Sequence, residues 1–239
     1  MTGPAEVLPW DTDFFGVRVA RARIGGAFTA EEGTALIDWC GANRIGWLYA
    51  LVPPDPASIR EAERCEMALT DVRVELACVP DAIPVAPGSV RPLRGDDLAA
   101  MRELARTGHR DSRFFADPRV PEERAEALFM RWIERDSTAG DNSWAAVAVA
   151  EDRPLGYITA NLDAGRCGWI RLIAVSQGAR GLGIGSALVG AAGRWMRDRG
   201  AVEARVITQG RNIAAQRLYQ QNGFRTSSVN LWYHKWFTP

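Results

Sequence analysis

The spacing of apolar positions changes period along the second half of the chain, and the change marks out its elements. Trp144–Ala150 is nearly all apolar, as a strand covered on both faces would be. Leu155–Leu162 and Cys167–Val175 read as two more strands, set apart by the turns Glu151–Pro154 and Asp163–Arg166. The three in succession predict an antiparallel meander. After a glycine-rich stretch the period becomes helical. Ile184, Leu188, Ala192 and Trp195 form one stripe on a helix that reaches about Arg199 and ends on Gly200 as its left-handed residue. Ala204–Thr208 is then a strand, Asn212–Asn222 a helix and Val229–Trp236 a final strand.

Upstream of the meander, Ser89–Leu93 is a short strand, and Asp96 or Asp97 caps a helix to about Arg106. Thr107–Val120 reads as an irregular loop, and Pro121 opens a helix to about Glu134. The order β-α-α-β-β-β-α-β-α-β predicts a mixed α/β sheet. Nearer the start, Ala30–Ala42 and Ala57–Glu66 read as helices and Ile45–Val52 as a strand. Val72–Val79 alternates Val72, Val74, Leu76 and Cys78, as a strand with one buried face does. Pro80, Pro84 and Pro87 make Val79–Gly88 an extended connector. Two domains are therefore expected, a small α/β accessory domain over residues 1–88 and a larger one over residues 89–239. The first is small for an independent catalytic unit and could complete the sheet of the second.

Composition narrows the function. The 239 residues are 47% hydrophobic and 24% charged, which suits a packed core. Net charge is zero and the chain has no long basic run, against nucleic acid as partner. Cys40, Cys65, Cys78 and Cys167 are scattered and read as buried free thiols. His109 and His234 are too few and too far apart for a metal centre, so no metal is expected. Met1–Trp10 lacks the pattern of a signal peptide, and no apolar run approaches the ~20 residues of a membrane helix. A cytoplasmic location without membrane partners is the expectation, and a homodimer is compatible with it.

The chemistry centres on Val175-Ser-Gln-Gly-Ala-Arg180-Gly181-Leu182-Gly183-Ile184-Gly185-Ser186, where glycines stand between a strand and a helix. Glycine lets backbone approach a ligand and permits positive φ. The first helical turn offers unpaired N–H groups and a positive dipole end, a seat for pyrophosphate. Arg180 can add a charge-assisted contact. The spacing lacks the Gly-x-Gly-x-x-Gly form, and no Lys follows as a P-loop requires.

This segment resembles the acetyl-CoA signature of the GNAT superfamily, Gln/Arg-x-x-Gly-x-Gly/Ala. The downstream Asn212-Ile-Ala-Ala215-Gln-Arg-Leu218-Tyr219-Gln-Gln-Asn-Gly223-Phe224 is similar to the superfamily's second cofactor segment, and the match runs over about Ser89–Trp236. The resemblance implies a mostly antiparallel mixed sheet in which strand Cys167–Val175 splays from Ala204–Thr208. Pantetheine would pair with the backbone of Ile173 and Val175. The amides of Gly181, Gly183 and Gly185, with Arg180 and Ser186, would hold the pyrophosphate. Asn212 would meet the pantetheine arm or act as a helix N-cap. Tyr219 would be the general acid, since a phenol stays protonated at neutral pH. Many family members carry an acidic residue on the meander's last strand. Here Trp169-Ile-Arg171-Leu-Ile has none, so either water relays the proton or the amine is already largely neutral.

Pro9-Trp10-Asp11-Thr12-Asp13-Phe14-Phe15-Gly16 and the loop His109–Pro118 resemble the TDP-fucosamine acetyltransferase group. That group acetylates the 4-amino group of a TDP-linked 4-amino-4,6-dideoxyhexose. The resemblance implies that Arg110 and Arg113 could pair with a sugar nucleotide's diphosphate and that Phe114 and Phe115 could line a wall for sugar or base. The aromatics could equally be core packing, and the arginines a solvated loop. Trp10, Phe14 and Phe15 are expected at a domain interface. Two alternatives remain: an acyltransferase for another small amine or a protein N-terminus, and a non-catalytic acyl-CoA-binding regulatory module.

Overall fold

The computed structural model describes residues 3–138 and 140–237. Its strands are β1 (Glu6–Val7), β2 (Val19–Arg23), β3 (Trp47–Val52), β4 (Ala68–Cys78), β5 (Val90–Pro92), β6 (Ser143–Ala150), β7 (Arg153–Leu162), β8 (Cys167–Val175), β9 (Glu203–Gln209) and β10 (Arg225–Trp236). Its α-helices are α1 (Pro9–Phe15), α2 (Ala30–Ala42), α3 (Pro56–Arg64), α4 (Leu98–Gly108), α5 (Arg113–Ala116), α6 (Glu122–Thr138), α7 (Ile184–Asp198) and α8 (Ile213–Gln221). Two compact units emerge. The first takes the chain as far as Arg73, the segment Ala116–Arg119 and the stretch from Val229; the second is Val74–Phe115 with Val120–Ser228.

In the first unit the strand order is β1-β2-β3-β10-β4. β2 and β3 run parallel, joined through α2, and β3 pairs antiparallel with β10 from Leu231↔Val52 to Trp236↔Trp47. Alternation sorts β3 between two faces. Leu48, Ala50 and Val52 pack with Leu36, Cys40 and Ala62 of α2 and α3. Trp47 and Tyr49 join His234 and Trp236 on the other face. A capping box explains why α2 starts where the sequence predicts: the Thr29 side chain accepts from the Glu32 amide and Glu32 accepts from the Thr29 amide. Sequence periodicity overlooks α1 and β2. α1 has Pro at its first turn and buries no residue fully, so it shows no apolar stripe to read.

In the second unit the order is β4-β9-β8-β7-β6-β5, and the meander β6-β7-β8 is antiparallel as expected. One face of β7 and β8, with Tyr157, Leu172 and Ala174, lies under Met101 and Ala105 of α4 and Phe129 and Ile133 of α6. α7 covers the other face, where a Cβ at Gly168 would come within 2.6 Å of the Met196 sulfur. The loop expected over Thr107–Val120 contains the short helix α5.

The proline-rich stretch 79–88 is bound to α7. A Cβ at Gly190 would lie 2.8 Å from the Pro84 carbonyl oxygen, one at Gly193 2.8 Å from Ile83, and Arg197 donates to the Pro80 carbonyl at 2.8 Å. The expected division after residue 88 thus falls inside the second unit. β4 carries the chain from one unit to the other, and its ends are Ala68 and Cys78.

Candidate active site

Strands β8 and β9 run parallel only from Cys167↔Glu203 to Ile170↔Val206. Beyond that couple both continue, to Val175 and Gln209, without pairing to each other. The cause lies on the opposite edge of β8. Ala160 of β7 faces Ile170 while Thr159 faces Leu172, so Arg171 is an extra residue in a β-bulge. A bulge bends its strand and sharpens its twist, and this one begins where pairing to β9 ends. The Leu172 amide donates to the Thr159 hydroxyl at 3.1 Å, and that hydroxyl donates to Asp136 of α6 at 3.3 Å. Ile173 and Val175 therefore lie on the part of β8 that β9 does not cover.

The glycine loop follows directly. Gly181 and Gly183 have φ of +80° and +77°, and a Cβ at either would meet nothing within 4 Å, so backbone faces open space at both. Gly183 is the N-cap of α7 and supplies no side-chain cap. The amides of Ile184, Gly185 and Ser186 are thus left without intrahelical acceptors. The Arg180 Nε reaches back to the Val175 carbonyl at 3.4 Å. Gly185 differs from its neighbours: a Cβ there would come 3.1 Å from both methyl groups of Leu218. Its small size serves the contact of α7 with α8.

α8 begins at Asn212, whose side chain accepts from the Ala215 amide at 3.0 Å. The N-cap role is realised, and the Asn212 NH2 group is left over from it. Tyr219 is 3% exposed, with its ring edge-on to Phe224 at 5.9 Å. Its hydroxyl has no hydrogen-bond partner among the described residues, and burial pushes its pKa above the ordinary phenol value. Asn222, 1% exposed, donates to the Ser186 hydroxyl at 3.0 Å and to the Leu218 carbonyl at 2.8 Å.

The residues expected to bind an acceptor are placed differently. Arg110 forks onto Glu122 and Glu126 of α6 and lies over the Phe115 ring at 4.7 Å. Arg113 lies over the Phe114 ring at 4.2 Å. Phe114, 2% exposed, packs edge-on to Trp132, and Phe115 stacks parallel to Phe129. The two aromatics take the core-packing alternative. In the first unit, Trp10 stacks on Phe14, and the half-buried Phe15 packs edge-on to Trp47 at 4.9 Å. Asp117 accepts from Trp236 at 2.9 Å and bonds His234 at 2.6 Å.

Sequence reasoning missed a polar group beside the bulge. His109 bonds the Tyr157 hydroxyl at 2.7 Å and stacks on Phe129 at 4.5 Å; burial lowers its pKa to about 4. Asp136 and Arg171 approach at 3.8 Å. No periodic signal marks these contacts, since a bulge is a property of register between strands. Burial raises the thiols of Cys40 and Cys78 to about 12 and of Cys65 and Cys167 to about 11, far from reactive thiolates. Among the described residues, no three His, Cys, Asp or Glu side chains are grouped to hold a metal ion, and no helix is long and apolar enough to cross a membrane.

Comparison with known proteins bears on this site. Residues 99–224 match the family model described as Acetyltransferase (GNAT) family. The mycothiol acetyltransferase of Mycobacterium avium (strain 104) is 29% identical over 257 residues, covering 98% of this chain and 76% of that protein. The spore coat polysaccharide biosynthesis protein SpsD of Bacillus subtilis (strain 168) is 28% identical over 229 residues, covering 95% of this chain and 68% of that protein. Among solved structures, a GCN5-related N-acetyltransferase from Sphaerobacter thermophilus superposes with a TM-score of 0.69 at 19% identity, over 98% of this chain and 76% of that one. A functionally unknown conserved protein from Staphylococcus epidermidis ATCC 12228 gives 0.71 at 11% identity, over 100% and 93%. At such identities the likeness is one of fold.

Proposed function

The chain belongs to the acetyltransferase (GNAT) family and is an N-acetyltransferase, and from that premise we propose that its acceptor is the amine of a nucleotide-linked amino sugar of the TDP-4-amino-4,6-dideoxyhexose type. The observation that carries the transfer chemistry is the stretch of β8 beyond Ile170 that β9 leaves unpaired, leading into a loop where Gly181 and Gly183 face open space. These features fit acetyl-CoA. The uncovered edge of β8 at Ile173 and Val175 offers backbone to the pantetheine amides. Arg180 and the amides of Gly181, Gly183, Gly185 and Ser186 suit a pyrophosphate. The NH2 group of Asn212 can reach the pantetheine arm. Acetyl-CoA supplies the activated acyl group.

The acceptor amine attacks the thioester carbonyl directly. As the C–S bond breaks, the Tyr219 hydroxyl gives its proton to the leaving sulfur, a role supported by its having no other hydrogen-bond partner among the described residues. No carboxylate stands on β8, so the proton that even a neutral amine sheds on becoming an amide passes to water, which in turn restores the proton Tyr219 has given to sulfur.

Two observations favour the amino sugar. The Pro9–Gly16 and His109–Pro118 segments resemble the sugar-nucleotide group, and one relative is named for spore coat polysaccharide biosynthesis. Arg113 and the half-buried Phe115 would then border the acceptor, with Phe114 packed beneath them and Arg110 joining only if it leaves its glutamates. A second reading, acetylation of another small amine, is favoured by the relatives named mycothiol acetyltransferase. Thiol release from acetyl-CoA in the presence of TDP-4-amino-4,6-dideoxyhexoses and of free amino acids tests the choice. Strong turnover with the former alone is expected. Equal rates on unrelated amines would overturn the sugar-nucleotide acceptor, and acetyl-CoA affinity without any turnover would mark a regulatory module.

A further inference from the structure

Arg171 occupies the point at which the β8–β9 slot opens. It is the extra residue of the bulge and follows Ile170, the last β8 residue paired to β9. Its side chain is 47% exposed. Its Nε lies 3.8 Å from Asp136 Oδ2, an ion-pair separation, and it makes no hydrogen bond among the described residues. The N–H donors of its guanidinium are thus uncommitted at the mouth of the slot. Arg110 is spent on Glu122 and Glu126, and Arg205 on Glu203 and Glu75.

Asp136 does not discharge Arg171 fully. Its Oδ1 receives the Nε and Nη2 of Arg135 at 3.0 and 2.9 Å, and its Oδ2 receives Thr159. One fixed carboxylate therefore serves two guanidiniums, both about half exposed, and the group carries an excess positive charge. Four residues separate Arg171 from Val175, about 13 Å of strand. Arg171 therefore sits at the middle of β8, short of the glycine loop, and does not belong to the pyrophosphate seat.

We infer that Arg171 receives an anionic group, phosphate or carboxylate, carried by the acceptor about one sugar ring away from its amine, as the C1 diphosphate is in a TDP-4-amino sugar. The inference rests on the β8–β9 slot being the site of acyl transfer. A guanidinium is suited to either oxyanion, which it can bind through two parallel N–H donors.

The test is calorimetry on protein saturated with CoA, which fills the cofactor's own phosphate sites. Three ligands share one amine: glucosamine, its 6-phosphate and its 6-carboxylate, 2-amino-2-deoxyglucuronate. The wild type is expected to bind at least one anionic form about tenfold more tightly than glucosamine, and the preferred form identifies the anion. Arg171→Gln is expected to bring the three ligands to parity, with Arg171→Lys keeping part of the preference. Equal affinities in the wild type, or an anion preference unchanged in Arg171→Gln, would overturn the inference. Because binding is read without turnover, a failure of TDP-sugars as substrates would defeat the sugar-nucleotide acceptor while leaving this result standing.

Discussion

Asn222 donates to the Ser186 hydroxyl at 3.0 Å, so the last turn of α8 is tied to the first turn of α7. With Leu218 packed where a Cβ of Gly185 would be, the link makes the glycine loop and the Tyr219 helix one assembly. Asn222→Ala removes a buried donor from two acceptors, Ser186 and the Leu218 carbonyl, at a cost of about 1–3 kcal/mol. It is expected to lower Tm and, because both helices move, to weaken acetyl-CoA binding and kcat together. A variant with lower Tm and wild-type kcat and affinity would show that the tie is structural alone.

Gly183 and Gly185 are expected to answer differently to substitution. Gly183→Val adds strain at φ +77° and puts a branched side chain into space now open, so a folded variant should lose acetyl-CoA binding. Gly185→Val presses on Leu218 and should first lower stability. Calorimetry and thermal melting on both variants separate the effects; unchanged acetyl-CoA affinity in Gly183→Val would reduce the loop to a turn.

Arg110 and Arg113 should also part company. Arg110→Ala loses an exposed ion pair to Glu122, worth roughly 0.2–1 kcal/mol, and one to the more buried Glu126, which keeps Arg106 as partner, and is expected to leave the KM for a TDP-amino sugar near wild type. Arg113→Ala removes a cation lying over Phe114 and is expected to raise that KM with acetyl-CoA affinity intact. Steady-state kinetics on the two single variants check this, and a KM unmoved in both would take the loop out of acceptor binding.

What could be read from the sequence follows from how local each feature is. α2 is legible to the residue because the Thr29–Glu32 capping box and its apolar spacing lie within one helix. Gly200 announces the end of α7 because only a left-handed residue fits there. The glycine loop carries its own chemistry in residue type. Features set by neighbours are not legible. Gly185 looks like its loop partners until Leu218 is placed against it, and Arg110 looks free until α6 brings Glu122 and Glu126. The bulge at Arg171 depends on one residue of offset between β7 and β8, which no spacing within either strand records.

His109 gives a pH signature. Enclosed between Phe129 and Tyr157, it stays neutral in the fold down to about pH 4, whereas in the unfolded chain it charges below about 6.5. A folded pKa below the unfolded one gives a contribution that is complete above pH 6.5 and is lost as pH falls from there to about 4. The limiting slope is at most about 1.4 kcal/mol per pH unit. His109→Gln keeps a partner for Tyr157 without titrating, so urea unfolding between pH 4.5 and 7 should show a shallower decline than the wild type. Equal slopes would mean that the imidazole is not held neutral.

Tyr219 is the sharpest test of the transfer step. Once an amine has added to a thioester, charge collects on sulfur as the C–S bond breaks, and a donor within hydrogen-bond reach stabilises that moment. The Tyr219 hydroxyl is suited to it on two counts: no described residue holds it, and a phenol is protonated at neutral pH. It also stands on a helix tied to the glycine loop through Asn222 and Ser186. Tyr219→Phe retains the ring against Phe224 and deletes only the oxygen, so Tm and acetyl-CoA affinity should change little. Positioned acid catalysis contributes about 10²–10⁴-fold, and kcat is expected to fall by that order. Product release could mask the loss in steady state, so the deciding measurement is the single-turnover rate with enzyme in excess over acetyl-CoA. A single-turnover rate within threefold of wild type would mean that the leaving sulfur takes its proton from elsewhere.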